Sequence, residues 1–229
     1  SKADWQKIVD YYVINAPETI PPPKREHKIK MGLKHFKYRE VPVAHRPPLT
    51  SMVKIRSEKK GLVFSDSKRG NNVLTFLGPN FNLERNLLFP NTPINFYEKL
   101  DTIYLTTVGK NVFPSDMRDG ALQKITESKE NKDQMIATPV LSHLQRPVSM
   151  AYGDLNNDGR EDIVACEYGD LTGKLVWFEN QGDNKYMEKV LNNKPGAITA
   201  IIVDYNQDGQ NDIFVLMAQG DEGVFYYEN

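Results

Sequence analysis

The chain holds a single cysteine among 229 residues, so no disulfide can form within it. Its fold must be held by packing, hydrogen bonds or a bound ion. Cys166 stands in the apolar run Ile163-Val164-Ala165-Cys166, where it is expected to be a small buried residue rather than a nucleophile. Long apolar runs are also missing: nothing approaches the ~18–20 residues of a membrane-crossing helix. The four histidines, His27, His35, His45 and His143, lack the spacing of metal ligands. G-x-S-x-G, H-E-x-x-H and the P-loop pattern do not occur, which removes the sequence signatures of serine hydrolases, zinc proteases and P-loop NTPases. An initiator Met and a signal peptide are absent too. The chain opens at Ser1-Lys2-Ala3-Asp4-Trp5 and is expected to be processed or cut from something longer.

Charge is present in an ordinary amount, 26% of residues with a net of −1, but it is unevenly placed. Residues 1–60 carry 14 Lys/Arg against 6 Asp/Glu, and residues 61–229 carry 15 against 24. The basic excess falls mostly between Lys24 and Lys60, among prolines and histidines. Neither aromatic interleaving nor a nucleic-acid-binding motif accompanies it. We therefore expect a solvated connecting arm docked on an acidic domain, and no nucleic-acid partner.

The most informative residues are two nine-residue loops that share the pattern D-x-N-x-D-G-x-x-D. One comprises Asp154, Asn156, Asp158, Gly159, Arg160 and Asp162; the other comprises Asp204, Asn206, Asp208, Gly209, Gln210 and Asp212. They lie 50 residues apart, and each runs directly into an apolar, β-prone segment, Ile163–Cys166 or Ile213–Leu216. Oxygen side chains at positions 1, 3, 5 and 9, with a glycine at 6 for the tight bend, suit a hard cation such as Ca²⁺. An EF-hand would need a glutamate at position 12, where Ala165 and Val215 stand. A pair of metal-free Asx turns is the plain alternative; three carboxylates gathered in one loop would then repel one another.

The loops also act as a ruler. Pro147 pairs with Pro195, and Trp177-Phe178-Glu179-Asn180 pairs with Tyr226-Tyr227-Glu228-Asn229, so each unit reads strand, loop, strand, turn, strand. Tyr186–Val190 adds a fourth strand to the earlier unit. Two weaker copies lie upstream, one with strands at 51–55, 61–64 and 72–77, the other at 94–101 and 102–107; both lack the acidic loop. Starts near 50, 93, 147 and 195 give a period of roughly 45–55, the mark of a β-propeller blade. The expected fold is all-β, with blades at about 50–92, 93–146, 147–194 and 195–229, preceded over 1–49 by a helix and a proline-rich basic arm. Residues 4–15 read as an amphipathic helix capped by Asp4, with Trp5, Ile8, Val9, Tyr12 and Val13 on one face. A polyproline strut at Pro21-Pro22-Pro23 and an extended connector over 24–48 follow. Because the last unit stops after three strands, a larger ring of seven or eight blades is expected.

These loops and the Gly-x-Val-x-Trp/Tyr-Phe/Tyr-Glu-Asn segments resemble the FG-GAP/VCBS repeat family, whose best-known members are the integrin α-subunit propellers. The resemblance is strong over 147–229, moderate over 50–146 and absent from 1–49. It implies two structural Ca²⁺ ions. One would be held by Asp154, Asn156, Asp158, Asp162 and the Arg160 carbonyl; the other by Asp204, Asn206, Asp208, Asp212 and the Gln210 carbonyl. It also implies an extracellular, cell-surface or periplasmic location, since extracellular calcium modules bind at about 10⁻⁴–10⁻³ M. The absence of disulfides suits a bacterial protein. The N-terminal helix resembles, more faintly, the closing helix of a c-type cytochrome domain, although no Cys-x-x-Cys-His is present. The functional expectation is a non-catalytic scaffold for protein partners, in a surface complex at a membrane. The alternatives are a carbohydrate-active or sugar-binding propeller, expected to display an aromatic-lined cleft with paired charges, and a periplasmic redox-partner module.

Overall fold

The structure is a computed structural model that describes residues 2–16, 35, 40–43, 49–56, 60–68, 71–99, 102–110, 116–127, 135–219 and 221–229. The chain divides into two compact units, Ser1–Glu40 and Val41–Asn229. In the first, helix α1 (Lys2–Asn15) begins two residues before the expected cap. Asp4 lies in its first turn, where a carboxylate favours the positive end of the helix dipole. The helix closes where the Ala16 amide donates to the Tyr12 carbonyl at 2.9 Å. None of its residues is buried, and Trp5, Ile8, Val9, Tyr12 and Val13 all stay exposed. The amphipathic face read from the sequence is therefore corrected. Tyr11, Tyr12, Val13 and Ile14 are consecutive, so apolar side chains run around the helix instead of along one stripe. The polyproline strut and the connector over 24–48 lie outside the described residues, except for 35 and 40–43.

The second unit contains four antiparallel sheets in chain order, each a meander with its strands in sequential order. The first comprises β1 (Thr50–Ile55), β2 (Leu62–Lys68), β3 (Asn71–Leu77) and β4 (Leu83–Phe89). The second comprises β5 (Pro93–Lys99), β6 (Thr102–Thr107), β7 (Gly120–Glu127) and β8 (Met135–Leu144). β9 (Pro147–Gly153), β10 (Asp162–Glu167), β11 (Lys174–Asn180) and β12 (Tyr186–Asn192) make the third. The fourth has three strands, β13 (Ala197–Val203), β14 (Asp212–Met217) and β15 (Gly223–Tyr227). The four-stranded blades expected from the repeat are thus present, as consecutive sheets that do not close into a ring.

Three strands escaped the sequence reading, and each has a physical reason. β4 is an outer strand of sequence Leu-Glu-Arg-Asn-Leu-Leu-Phe, largely solvated, so it carries no clean alternation. β8 includes Pro139, which an outer edge strand tolerates and a central one does not; the β7–β8 register shifts on either side of Leu122. β7 buries Gly120, Leu122 and Ile125, and the register shifts at Leu122 break the period of two.

Packing follows the period of two. Every residue of β10 is buried, because the strand is covered on both faces. Ile163 and Ala165 point into a core shared with Leu122, Leu141 and Leu144 of the second sheet. Val164 and Cys166 point the other way, into a core shared with Ala197, Ala200, Ile213, Val215 and Met217 of the fourth. A third core joins the first two sheets through Leu74, Phe76, Phe96 and Leu105, with the Phe76 and Phe96 rings meeting edge to face at 6.2 Å. Gly153 shows how closely the sheets approach: a Cβ there would lie 2.6 Å from Ile202 Cγ2 of the next sheet.

The buried reading of Cys166 holds, and burial pushes its thiol up to about 12. We expect no reaction of Cys166 with a thiol-specific reagent in the native protein and stoichiometric labelling in urea. Rapid native labelling would show that the core between the third and fourth sheets opens.

Candidate metal-binding loops

Each acidic loop connects the first and second strands of its sheet, β9 to β10 and β13 to β14. Positive φ values at Asn157 (56°) and Gly159 (81°), repeated at Gln207 (64°) and Gly209 (91°), turn the chain back on itself. Asparagine tolerates this left-handed region well, and glycine adopts it without a steric cost.

The two loops share one hydrogen-bond plan. Asp154 accepts from the amides of Asp158 (3.2 Å) and Gly159 (2.8 Å), and Asp204 accepts from those of Asp208 (3.1 Å) and Gly209 (3.0 Å). Asn156 Oδ1 takes the Asp158 amide, as Asn206 Oδ1 takes that of Asp208. Asp158 then receives the Arg160 amide at 2.9 Å, and Asp208 receives the Gln210 amide at 2.8 Å. Asp162 and Asp212 stand apart from this ring at the base of their loops, fully buried. Asp162 accepts from the amides of Leu155 (3.1 Å) and Asn180 (2.8 Å), and Asp212 from those of Tyr205 (3.1 Å) and Asn229 (3.0 Å). The ninth position therefore staples the loop to the third strand of its sheet.

The loops differ in charge balance. The Arg160 guanidinium pairs with Asp158 and also donates from Nε to the Asn180 carbonyl at 2.7 Å. Gln210 supplies no such cation to Asp208. Asp158 lies below its ordinary value. Desolvation, the largest single influence, raises it, but the Arg160 amide, the Asn156 amide and the Arg160 charge together outweigh that. Burial is also the largest influence on Asp162 and leaves it raised. Asp212 is lowered instead, chiefly by the Asn229 amide, and the Tyr226 hydroxyl adds a further donor at 3.0 Å.

The sign for Asp212 is clear. A depressed carboxyl stabilises the fold while ionised; that contribution is complete above the ordinary range near about pH 4 and is lost as the pH falls through the depressed value. Asp212→Asn is expected to flatten the acid limb of stability below about pH 4, measured by urea unfolding in chelator. An acid limb that superimposes on the parent's would reject the assignment.

Two site residues were missed by sequence reasoning. Asn156 Nδ2 reaches Glu179 Oε1 at 2.9 Å, and Asn206 Nδ2 reaches Glu228 Oε1 at 3.2 Å. Their signal was available: both belong to the repeated Glu-Asn pair of the third strand. The loops are also tied to each other. Asn211 Nδ2 donates to the Asp154 carbonyl at 2.8 Å, and Asn229 Nδ2 to the Leu155 carbonyl at 2.6 Å.

Residues 154–215 match the sequence model of the FG-GAP-like repeat. The matched segment is similar to an FG-GAP-like repeat. It spans the first acidic loop, the remainder of the third sheet, β13, the second loop and most of β14, and so contains both copies of the loop. Together with the blade-like sheets, this match supports an FG-GAP-repeat, β-propeller-like fold. No curated protein matches the chain.

The donor chemistry of each FG-GAP-like loop fits a hard cation, since carboxylate, amide and peptide oxygens are all it presents. Asp154, Asn156 and Asp158 are held together on one turn, as are Asp204, Asn206 and Asp208, while Asp162 and Asp212 face the amides beneath. Among the described residues, no group of three or more His, Cys, Asp or Glu side chains is gathered tightly enough to hold a metal ion. Drawing the ninth-position carboxylate and the fifth-position one onto one ion would tighten the loop.

Proposed function

We propose that the chain is a calcium-stabilised FG-GAP-like propeller module that serves as a non-catalytic scaffold for protein partners outside the cytoplasm. The observation that carries this reading is the shared hydrogen-bond plan of two oxygen-rich loops at the same corner of adjacent sheets. Asp154, Asn156, Asp158, Asp162 and the Arg160 carbonyl would hold one Ca²⁺; Asp204, Asn206, Asp208, Asp212 and the Gln210 carbonyl would hold the other. Calcium would supply the positive charge that the clustered carboxylates otherwise lack, and it would fix the turn between the first two strands of each blade. The second loop, without a guanidinium on Asp208, is expected to bind more tightly than the first.

The interaction role is supported by surface chemistry. The outward side of the fourth sheet leaves Ile201 of β13, Leu216 of β14 and Val224 and Tyr226 of β15 exposed, with Tyr205 of the second loop edge-on against Tyr226. Apolar surface of that kind marks interaction faces. No helix among the described residues is long and apolar enough to cross a membrane. An extracellular, cell-surface or periplasmic setting accords with the usual place of FG-GAP repeats and with millimolar calcium.

Isothermal titration of Ca²⁺ into the chelator-stripped chain, with Mg²⁺ as the comparison, tests the reading. We expect two calcium sites of unequal affinity and weaker Mg²⁺ binding. No calcium heat at millimolar concentrations would remove the metal from the proposal. Cleavage of a polysaccharide by the intact chain would replace the scaffold role.

A further inference from the structure

The groove between the second and third sheets differs from its two counterparts. It encloses a cavity of about 280 Å³, walled by Tyr104, Tyr152 and Tyr186, with Lys99, Glu161 and Asn180 among its polar lining. These residues come from five elements: β5, β6, β9 together with the loop that follows it, β11 and β12. Tyr152 stacks on Tyr97 with ring centres 4.1 Å apart, and Tyr104 tilts against Tyr152 at 6.2 Å. Glu161 Oε1 accepts from Lys99 Nζ at 2.9 Å and from the Tyr97 hydroxyl at 3.4 Å. The acidic partner is thus already neutralised and sits at the edge of an aromatic wall.

The strand register makes the comparison direct. Glu98, Tyr152 and Ile202 occupy the same place on β5, β9 and β13, each opposite an isoleucine of the second strand, Ile103, Ile163 or Ile213. In the groove between the third and fourth sheets, about 170 Å³ in volume, Asn211 takes the place of Glu161 and spends its amide on the Asp154 carbonyl. The groove between the first and second sheets is instead rich in cations, with Arg56, Lys60 and Arg85 around Glu98. Only filling the space between sheets requires no hydroxyl, as Ile202 demonstrates. Yet the Tyr152 hydroxyl is buried and has no hydrogen-bond partner. A buried donor left unpaired costs about 1–3 kcal/mol, which an occupant that accepts from it would recover.

We propose that this groove binds one pyranose ring of a neutral carbohydrate, with Tyr104 and Tyr186 offering aromatic surface to its C–H faces and Tyr152 and Glu161 taking its hydroxyls. The volume lies at the small end of ligand pockets and suits a single ring. The charge argues for a neutral ligand. A quaternary ammonium, the usual guest of an aromatic cage, would have to share Glu161 with the ammonium of Lys99. A sugar can use the pair as acceptor and donor together. The inference does not rest on calcium, because none of the three tyrosines belongs to the proposed ion-binding sets.

Saturation-transfer NMR on the full chain, with the methyl glycosides of glucose, galactose, mannose and N-acetylglucosamine as probes, tests it. At least one glycoside should receive saturation, and the amide signals of Glu161 and Asn180 should shift. Tyr152→Phe keeps the stacked ring and removes only the hydroxyl. It should weaken binding about tenfold while leaving the melting temperature unchanged or slightly raised. Tyr205→Phe, outside the groove, should bind as the parent does. The proposal is overturned if no glycoside binds, if Tyr152→Phe binds as well as the parent, or if tetramethylammonium binds there in preference to every sugar. Calcium titration of the same samples reports separately on the scaffold reading, so either proposal can fail alone.

Discussion

Asp162→Ala is expected to destabilise the second unit by about 2–4 kcal/mol even when calcium is chelated. The carboxylate is fully buried and closes the loop by accepting the Leu155 and Asn180 amides. Removing it strands two peptide donors beside a core that contains Leu155 and Val164. Each such donor costs about 1–3 kcal/mol when left unpaired. The consequence extends beyond the loop, because Asn180 also holds the Glu161 carbonyl at 3.0 Å, and Glu161 reaches Lys99 of the second sheet. At roughly 2–4 °C per kcal/mol for a domain of this size, the melting temperature should fall by about 5–15 °C. Urea unfolding in EDTA measures the effect. A loss under about 1 kcal/mol would mean that water replaces the carboxylate at little cost and that the corner is not closed by it.

This role separates two duties that the sequence pattern merges. D-x-N-x-D-G-x-x-D reads as one ligand set, and nothing in its spacing says that the ninth position is already occupied with peptide amides. That information lies 18 residues away for Asp162, at the Asn180 amide, and 17 away for Asp212, at the Asn229 amide. The third and fourth sheets were legible because a duplicated motif supplies its own alignment: Pro147 with Pro195, Glu179 with Glu228, Asn180 with Asn229. The first two sheets gave up β1, β2, β3, β5 and β6, most plainly β3 with its buried run from Asn72 to Leu77. Their outer strands, β4 and β8, face solvent along much of their length and carry charge or proline. The exposure of α1 was not legible either, since helical spacing reports a possible face and says nothing of what covers it. The tyrosine groove was hidden for a different reason. Tyr104, Tyr152 and Tyr186 are separated by dozens of residues and meet only because consecutive sheets pack side by side.

The largest effect should come from calcium itself. If each loop binds with the affinity usual for extracellular modules, about 10⁻⁴–10⁻³ M, then 10 mM calcium corresponds to roughly 10–100 times the dissociation constant. Mass action on the folded state then contributes about 1.4–2.7 kcal/mol per site, or about 3–5 kcal/mol for two. Exchange from EDTA into 10 mM calcium should therefore raise the melting temperature by about 6–20 °C, read by calorimetry. Asp158→Ala with Asp208→Ala should abolish most of that rise and change little in EDTA, because both residues are exposed and their hydrogen bonds lie within the loops themselves. This is the reverse of the Asp162→Ala pattern, whose loss persists in EDTA. The single variants should also differ. Asp158 already has the Arg160 guanidinium as a counter-charge, so calcium must displace or share it, whereas Asp208 faces no such competitor. Asp208→Ala should accordingly remove more of the calcium-dependent rise than Asp158→Ala. Equal melting of the double variant and the parent in calcium would refute the ligand assignment. A larger loss from Asp158→Ala would show that Arg160 swings away on binding and no longer opposes the ion.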